Sequence, residues 1–248
     1  MLRDELVRYF DSLLQPERFR DYCPNGLQVE GRKEIRLVVS GVTASAELVQ
    51  AGAAAGADAL LVHHGYFWRG EDPRIVGMRR GRIAGLLAGE INLIAYHLPL
   101  DAHPELGNNA CLARELGFRT EGRTGDQDLL NWGTVAAAES LAAFSQRLGA
   151  CLGRVPTVIG DPAATIRRVA WCTGAAQDHF EQAIGLGVDA FITGEISEQN
   201  VHAARESGVA FVAAGHHATE RFGVRALGDA AAREFGIEHR FIDIPNPV

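Results

Sequence analysis

Imidazole and carboxylate side chains follow three apolar runs of this chain, and they are its residues best suited to bind metal ions. His63 and His64 follow the run 59–62, and Gly65 comes directly after them. Adjacent residues of a strand point to opposite faces, so both imidazoles can serve one site only if the strand ends there. Taken alone, the pair is equally consistent with one histidine being an ordinary core or surface residue.

Two further pairs have the spacing His-x-x-x-acid. His97 and Asp101 follow a second apolar run, and His216 and Glu220 follow a third. At this spacing His216 and Glu220 can share one face of a helix that starts there. Pro99 predicts that the strand before His97 leaves into a loop. Each pair alone is also consistent with a surface ion pair or a helix-capping acid.

Imidazoles and carboxylates in combination favour a transition metal. Such mixed sites suit Zn, Fe, Mn or Ni and do not suit a dedicated Ca²⁺ site. A carboxylate can also bridge two ions that lie about 3.5–4 Å apart. Three apolar runs that each end in such groups therefore predict a metal site, although no single pair does so.

Other chemistries have less support. The chain has no G-x-S-x-G serine motif and no phosphate-binding P-loop, and Lys33 is its only lysine. The segment 40–43, at a predicted turn between strand and helix, is consistent with an anion site or with a simple helix cap. We expect surface or capping roles for four other histidines, and His217 has no counterpart in the repeat described below. Those four are His103, His179, His202 and His239.

An internal repeat predicts the elements that position these residues. Residues 36–64 and 168–195 each read as a buried strand, an amphipathic helix, a glycine and a second buried strand, which is the pattern of a βαβ unit. The match continues downstream, where predicted helices 108–117 and 224–236 both end at a glycine. Parallel connections bring the carboxyl ends of strands to one edge of a sheet, where ligand sites form.

The repeat predicts an α/β fold of two similar halves from an internal duplication, each a mixed sheet with flanking helices. The opening helix, 2–14, has a partner at 140–152. We expect the boundary in the polar, glycine-containing stretch 121–128, which gives halves 1–124 and 125–248. Any two βαβ units resemble each other, but the shared Gly-x-Asp-Ala and His-x-x-x-acid motifs favour duplication.

Composition excludes several classes of protein. Of 248 residues, 47% are hydrophobic and 22% charged, as in an ordinary globular chain. Lys and Arg number 24 against 31 Asp and Glu, a net charge of −7, which argues against direct nucleic-acid binding. No apolar run approaches the roughly 18 residues of a membrane helix, and the first residues do not read as a signal peptide.

The cysteines point to the cytoplasm. They lie far apart and form no C-x-x-C motif, which argues against disulfides and against a cysteine-ligated zinc site. We therefore expect a cytoplasmic protein with no membrane partner. The four are Cys23, Cys111, Cys151 and Cys172.

Together these residues resemble the GTP cyclohydrolase type 2-like family, which is related to the eukaryotic Ngg-interacting factor three. The resemblance runs from residue 25 to residue 220 and is to the short form, without an inserted domain. The matching motifs are Asn25-Gly-Leu-Gln-Val29, Leu61-Val-His-His-Gly65, His97-Leu-Pro-Leu-Asp101 with Gly107-Asn108, Thr193-Gly-Glu195 and Gly215-His-His-Ala-Thr-Glu220.

The resemblance implies a site for two divalent metal ions and a toroidal homohexamer whose metal sites face an inner cavity. Five protein ligands are few for two metals, so the remaining positions would hold water or substrate. The implied ligands are His63, His64, Asp101, His216 and Glu220.

Two further motif residues, His97 and Glu195, are not among the implied ligands. We expect them either to support the ligands and transfer protons or to be purely structural. Asn25 and Gly26 are expected to fix a turn after Pro24.

Such a site predicts a metal-dependent hydrolase of a nucleotide or a phosphorylated small molecule. Two divalent ions outweigh two carboxylates, so the site attracts anions, phosphate above all. Bound metals activate water for attack at carbon or phosphorus, so no side chain is assigned as the catalytic nucleophile. In a cyclohydrolase the attacked atom would be C8 of guanine, but nothing in the sequence selects a purine. The alternative is a non-catalytic metal-binding assembly that acts as a metal carrier or an interaction platform.

Overall fold

The structure, a computed structural model, describes residues 1–248 and confirms the predicted α/β class. It contains two mixed sheets, of five and six strands, with helices beside them. The chain divides into two compact units. The first comprises Met1–Gly107 and Arg221–Ile244, and the second comprises Asn108–Glu220 and Pro245–Val248. No helix combines the length and the apolar composition that crossing a membrane requires.

The sheet of the first unit is parallel except at one edge. Its strand order is β1-β4-β3-β2-β11, and only β1 runs antiparallel to its neighbour. The elements are α1 (Arg3–Leu14), β1 (Gly26–Val29), β2 (Leu37–Thr43), α2 (Ala46–Ala54), β3 (Ala59–His64), α3 (Gly77–Ala88), β4 (Asn92–Ala95), α4 (Leu98–Ala102), most of α9 (His216–Phe235) and β11 (Glu238–Phe241).

Helices cover both faces of this sheet, which explains why nearly every residue of its central strands is buried. Leu60 of β3 belongs to a core cluster with Leu48 of α2 and Leu86 of α3. The next residue, Leu61, belongs to a cluster on the other face with Phe10 of α1. The sheet is therefore a buried layer, and the candidate metal-binding side chains of this unit lie at the carboxyl ends of its strands.

The second unit also has parallel strands at the centre of its sheet. Its strand order is β5-β6-β8-β9-β10-β7, in which β8, β9 and β10 are parallel and the other pairs antiparallel. The elements are α5 (Asn108–Leu116), β5 (Phe118–Thr124), β6 (Leu130–Ser140), α6 (Leu141–Leu152), β7 (Thr157–Ile159), β8 (Thr165–Trp171), α7 (Phe180–Gly185), β9 (Ala190–Thr193), α8 (Glu198–Ser207) and β10 (Ala210–Ala213).

The predicted helices are confirmed, with one difference in length. α1, α5 and α6 begin and end within two residues of the predicted bounds. Ser140 caps α6, since its hydroxyl accepts a hydrogen bond from the Ala143 amide. The helix predicted over 224–236 begins earlier, because α9 starts at His216.

Two local expectations were wrong. The segment 40–43 belongs to β2, and the cap of α2 is Ser45, whose hydroxyl accepts from Leu48. The stretch 121–128, where the boundary between halves is predicted, holds the end of β5, which pairs with β6, and a short 3-10 turn. His239 is not a surface residue, because its ring is buried between Ser40 and Asp229.

The compact units and the sequence repeat do not share their boundaries. β11 pairs with β2 in a parallel register, and Val224 and Leu227 of α9 join the same core cluster as Phe10. Pairing and apolar packing thus place most of the last helix and the last strand in the first unit. The duplication, with its division after residue 124, stays a prediction.

Candidate metal centre

In the first unit, the two adjacent histidines end strand β3. His63 is fully buried, and its Nδ1 lies 2.9 Å from the Tyr96 carbonyl oxygen. A carbonyl only accepts hydrogen bonds, so Nδ1 carries the proton and Nε2 is left as a metal-binding nitrogen. His64 is half-buried, and its Nδ1 lies 3.1 Å from the Thr43 hydroxyl. The strand ends here, so both imidazoles lie in one cluster, with ring centroids 4.7 Å apart.

A carboxylate joins this cluster from the short helix after β4. Asp101 is buried, and its Oδ1 lies 3.4 Å from Nε2 of His63. Pro99 lies in the first turn of that helix, α4, and does not mark an exit into a loop. At Gly107 the chain passes close to the backbone of α4. A Cβ there would lie 2.5 Å from the Leu100 carbonyl oxygen. This contact gives the Gly107 motif a structural reason.

His97 is the third imidazole of the first unit. One nitrogen of each of His63, His64 and His97 lies within 4.8 Å of the others. The Nδ1 of His97 lies 2.7 Å from Asp21 Oδ1, and its amide donates to Asn25 Oδ1 at 2.8 Å. Asn25 therefore anchors the backbone at His97, in addition to any role in its own turn.

The second unit carries its candidate residues at the start of α9. His216 Nδ1 lies 2.6 Å from Glu195 Oε1, and its Nε2 lies 3.1 Å from Glu220 Oε2. The expected sharing of one helix face by His216 and Glu220 is confirmed. Burial alone lowers the pKa of His216, but the hydrogen bonds and charges of Glu220 and Glu195 outweigh it and raise the pKa to about 9.

The backbone at Gly174, in the loop after β8, comes close to these side chains. Gly174 has φ +72°, and a Cβ there would collide with Glu220 Oε1 and lie 3.3 Å from His216 Nε2. The Gly174 amide donates to the Thr219 hydroxyl at 3.1 Å, and that hydroxyl donates to the His216 carbonyl. Gly174 and Thr219 are not among the residues predicted from the sequence, although Thr219 lies within the motif Gly215–Glu220.

The donor atoms of both units fit a divalent transition metal. Neutral imidazole nitrogens and carboxylate oxygens are the ligands that such ions take. Each candidate imidazole also has a partner on its other nitrogen, as ligating histidines usually do. A divalent ion would replace the proton held between His216 and Glu220, since both present ligand atoms to it. The clustered side chains could therefore hold metal ions.

The groups that orient the imidazoles are likewise not predicted from the sequence. These are the Tyr96 carbonyl, the Thr43 hydroxyl and the carboxylate of Asp21. Asp21 stands four positions before the motif residue Asn25, but it is 76 positions from His97. Only the fold brings such residues together, so no pattern in the sequence indicates them.

Comparisons with known proteins agree over the whole chain. The sequence model of the family described as Duf34/NIF3 (NGG1p interacting factor 3) matches residues 1–247. A Pseudomonas aeruginosa protein named GTP cyclohydrolase 1 type 2 homolog is 55% identical over 245 residues, which are 98% of this chain and 97% of that protein. A solved structure described as protein ybgI, of unknown function, has a TM-score of 0.97 at 49% identity and covers all of both chains. A solved structure from Thermus thermophilus has a TM-score of 0.90 at 36% identity, again over all of both chains.

Proposed function

Since the chain belongs to the Duf34/NIF3 family, as its motifs predicted, we propose that it is a metal-dependent hydrolase of a nucleotide or a phosphorylated small molecule. The observation that carries the proposal is that each unit has a cluster of imidazole and carboxylate side chains. The first combines His63, His64 and Asp101, and the second combines His216 and Glu220.

We propose that these five residues together bind two divalent ions, drawn from Zn, Fe, Mn and Ni. Neither group alone offers enough ligands for two ions, whereas a carboxylate that bridges them reduces the number required. Asp101 and Glu220 are both buried and both contact a ligand imidazole. Five protein ligands leave positions for substrate, which distinguishes a reactive site from a closed structural one.

The protein's own residues orient the ligands and set the charge. The Tyr96 carbonyl and Glu195 each hold Nδ1 of one ligand imidazole, so Nε2 points away from the holding group. Two carboxylates do not neutralise two divalent ions, and the remaining positive charge binds an anionic group such as a phosphate. The ions, when bound, supply Lewis-acid activation of water and substrate. A purine nucleotide is the first substrate to test, because the Pseudomonas relative is named a GTP cyclohydrolase homolog.

The test loads the purified protein with Mn²⁺, Zn²⁺ or Fe²⁺ and measures bound metal and nucleotide turnover by mass spectrometry. We expect about two ions per chain and hydrolysis of at least one nucleotide. His64→Ala should lose both metal and activity. His202→Gln is the matched control, because His202 is exposed on α8, outside both groups. Metal-loaded protein that turns over no cyclohydrolase or phosphatase substrate would overturn the hydrolase proposal.

A non-catalytic metal-binding assembly, a metal carrier or an interaction platform, is the second candidate. It is favoured by the description of the family as an interacting factor. In that case the same protein retains its metal and has no substrate, and His64→Ala changes only metal content or assembly.

The family resemblance also supports a homohexamer, which we propose as the assembled form in the cytoplasm. Exposed apolar residues before and within α3 support a subunit interface, and the most exposed of them is Met78. Partners beyond the hexamer would be anionic small molecules, without membrane or direct nucleic-acid binding.

A further inference from the structure

The carboxylate of Asp21 is buried and has four hydrogen-bond partners. Its side chain is 4% exposed. It accepts hydrogen bonds from the amides of Tyr22 at 2.6 Å and Leu98 at 2.9 Å, and from Asn25 Nδ2 at 2.9 Å. His97 Nδ1 makes the fourth contact, at 2.7 Å. Four donors fix both oxygens, so this carboxylate has a single orientation.

These contacts decide which nitrogen of His97 carries a proton. An ionised carboxylate only accepts hydrogen bonds, so Nδ1 of His97 must donate to Asp21. Burial raises the pKa of Asp21, but the hydrogen bonds from His97, Asn25 and the Tyr22 amide, together with the charge that His97 carries when protonated, outweigh it, and the pKa lies below its ordinary value. The carboxylate is therefore ionised at neutral pH. In the neutral ring Nε2 is left with a lone pair.

The ring of His97 is also fixed in position. Trp68 meets it edge-on with centroids 4.9 Å apart, and Tyr22 lies at 6.4 Å. His63 lies at 5.0 Å and His64 at 5.8 Å from the same ring. Because Asp21 holds Nδ1, Nε2 is the nitrogen available to a molecule bound beside those two imidazoles.

The second unit has the same arrangement, in which a carboxylate holds the Nδ1 of an imidazole. Glu195 holds Nδ1 of His216 at 2.6 Å, just as Asp21 holds Nδ1 of His97. A carboxylate behind an imidazole fixes its tautomer and increases its basicity. In the second unit this arrangement involves His216, a proposed metal ligand. In the first unit it involves His97, which has no role assigned so far.

We propose that Asp21 is a positioning residue that acts through His97. It fixes the Nδ1–H tautomer and directs Nε2, as a hydrogen-bond acceptor, to an O–H or N–H group of the molecule bound at His63 and His64. The identity of the bound molecule rests on the proposed function, whereas the tautomer assigned to His97 does not. His97 contacts the bound molecule, whereas the Asp21 carboxylate is held by His97, Asn25 and two backbone amides.

The experiment compares Asp21→Asn and Asp21→Glu with the wild type in the full-length, Zn²⁺-loaded protein. Nitrogen NMR of labelled histidine reports the tautomer of His97. We expect the Nδ1–H form in the wild type, its loss in Asp21→Asn and its return in Asp21→Glu. Turnover should fall about 10–100-fold in Asp21→Asn, with bound zinc unchanged. Asp229→Asn is the matched control, because Asp229 holds Nδ1 of His239 at 2.8 Å elsewhere in the same unit.

A double-mutant cycle separates positioning from general loss of structure. His97→Gln removes the ring, so Asp21→Asn should reduce turnover no further in that background. Full additivity of the two substitutions, or an unchanged tautomer in Asp21→Asn, overturns the proposal. Loss of zinc in His97→Gln also overturns it, because His97 would then be a ligand. If the wild type has no turnover, the hydrolase proposal fails while the tautomer measurement still decides the role of Asp21.

Discussion

The Glu220 carboxylate, which contacts His216, occupies the space that a side chain at residue 174 would need. We expect Gly174→Ala to move the Glu220 carboxylate and to weaken metal binding by at least about tenfold, or 1.4 kcal/mol. The left-handed backbone adds about 1–2 kcal/mol of destabilisation. Zinc titration against a chelator and urea unfolding measure the two effects.

Gly187→Ala is the matched control for that substitution. Gly187 has φ +66° in the same unit, but a Cβ there meets nothing within 4 Å. It should therefore lose only the stability that the left-handed backbone costs and bind metal as the wild type does. Equal metal affinity in both variants would contradict the role assigned to the Gly174 contact.

Asp21 also makes stability depend on pH in the acid range. Its folded pKa lies below the ordinary value, so its contribution is fully present above that ordinary value, about 3.9. The contribution is lost as pH falls through the folded pKa, because the unfolded chain binds the proton more readily. We expect Asp21→Asn to destabilise the protein by about 2 kcal/mol at pH 7.

Urea unfolding from pH 7 down to pH 3 checks this dependence. The difference between wild type and Asp21→Asn should shrink toward the acid end. A difference that stays constant over the range would show that the lost stability is not electrostatic in origin.

At the scale of elements, the side chain of His239 connects the last strand, β11, to β2 and α9. Its ring nitrogens lie 2.7 Å from the Ser40 hydroxyl of β2 and 2.8 Å from Asp229 of α9. We expect His239→Ala to cost about 2 kcal/mol and to speed hydrogen exchange of the β11 amides. Glu238→Gln, an exposed change on the same strand, should leave both unchanged. Unaltered exchange in His239→Ala would show that β11 is held by its backbone pairing alone.

The sequence predicted the elements that depend on local pattern. The periodicity of α6 and the apolar run of β3 lie within single segments, and the structure has both. β11 has no apolar run of its own. Its position depends on pairing with β2, which lies about 200 residues away in the sequence. The candidate imidazoles were likewise found from their places after strands, whereas Asp21 was not, because its partner His97 is brought to it by the fold.

At the scale of the whole molecule, one short segment exposes several apolar side chains to solvent. Three lie within four positions, at the start of α3, and are 51%, 58% and 81% exposed. Scattered exposed apolar residues are ordinary, but a group of them marks an interaction surface. The residues are Ile75, Val76 and Met78.

We therefore expect the start of α3 to lie in the interface of the proposed homohexamer. Met78→Glu would replace an apolar side chain of that interface with a charged one, which is costly to bury, and should leave species smaller than the wild-type assembly. Native mass spectrometry and light scattering measure this directly. Val155→Glu is the control, because Val155 is also strongly exposed but stands apart from that segment. If Met78→Glu keeps the mass of the wild type while remaining folded, the start of α3 lies outside the interface, and the hexamer must use another surface.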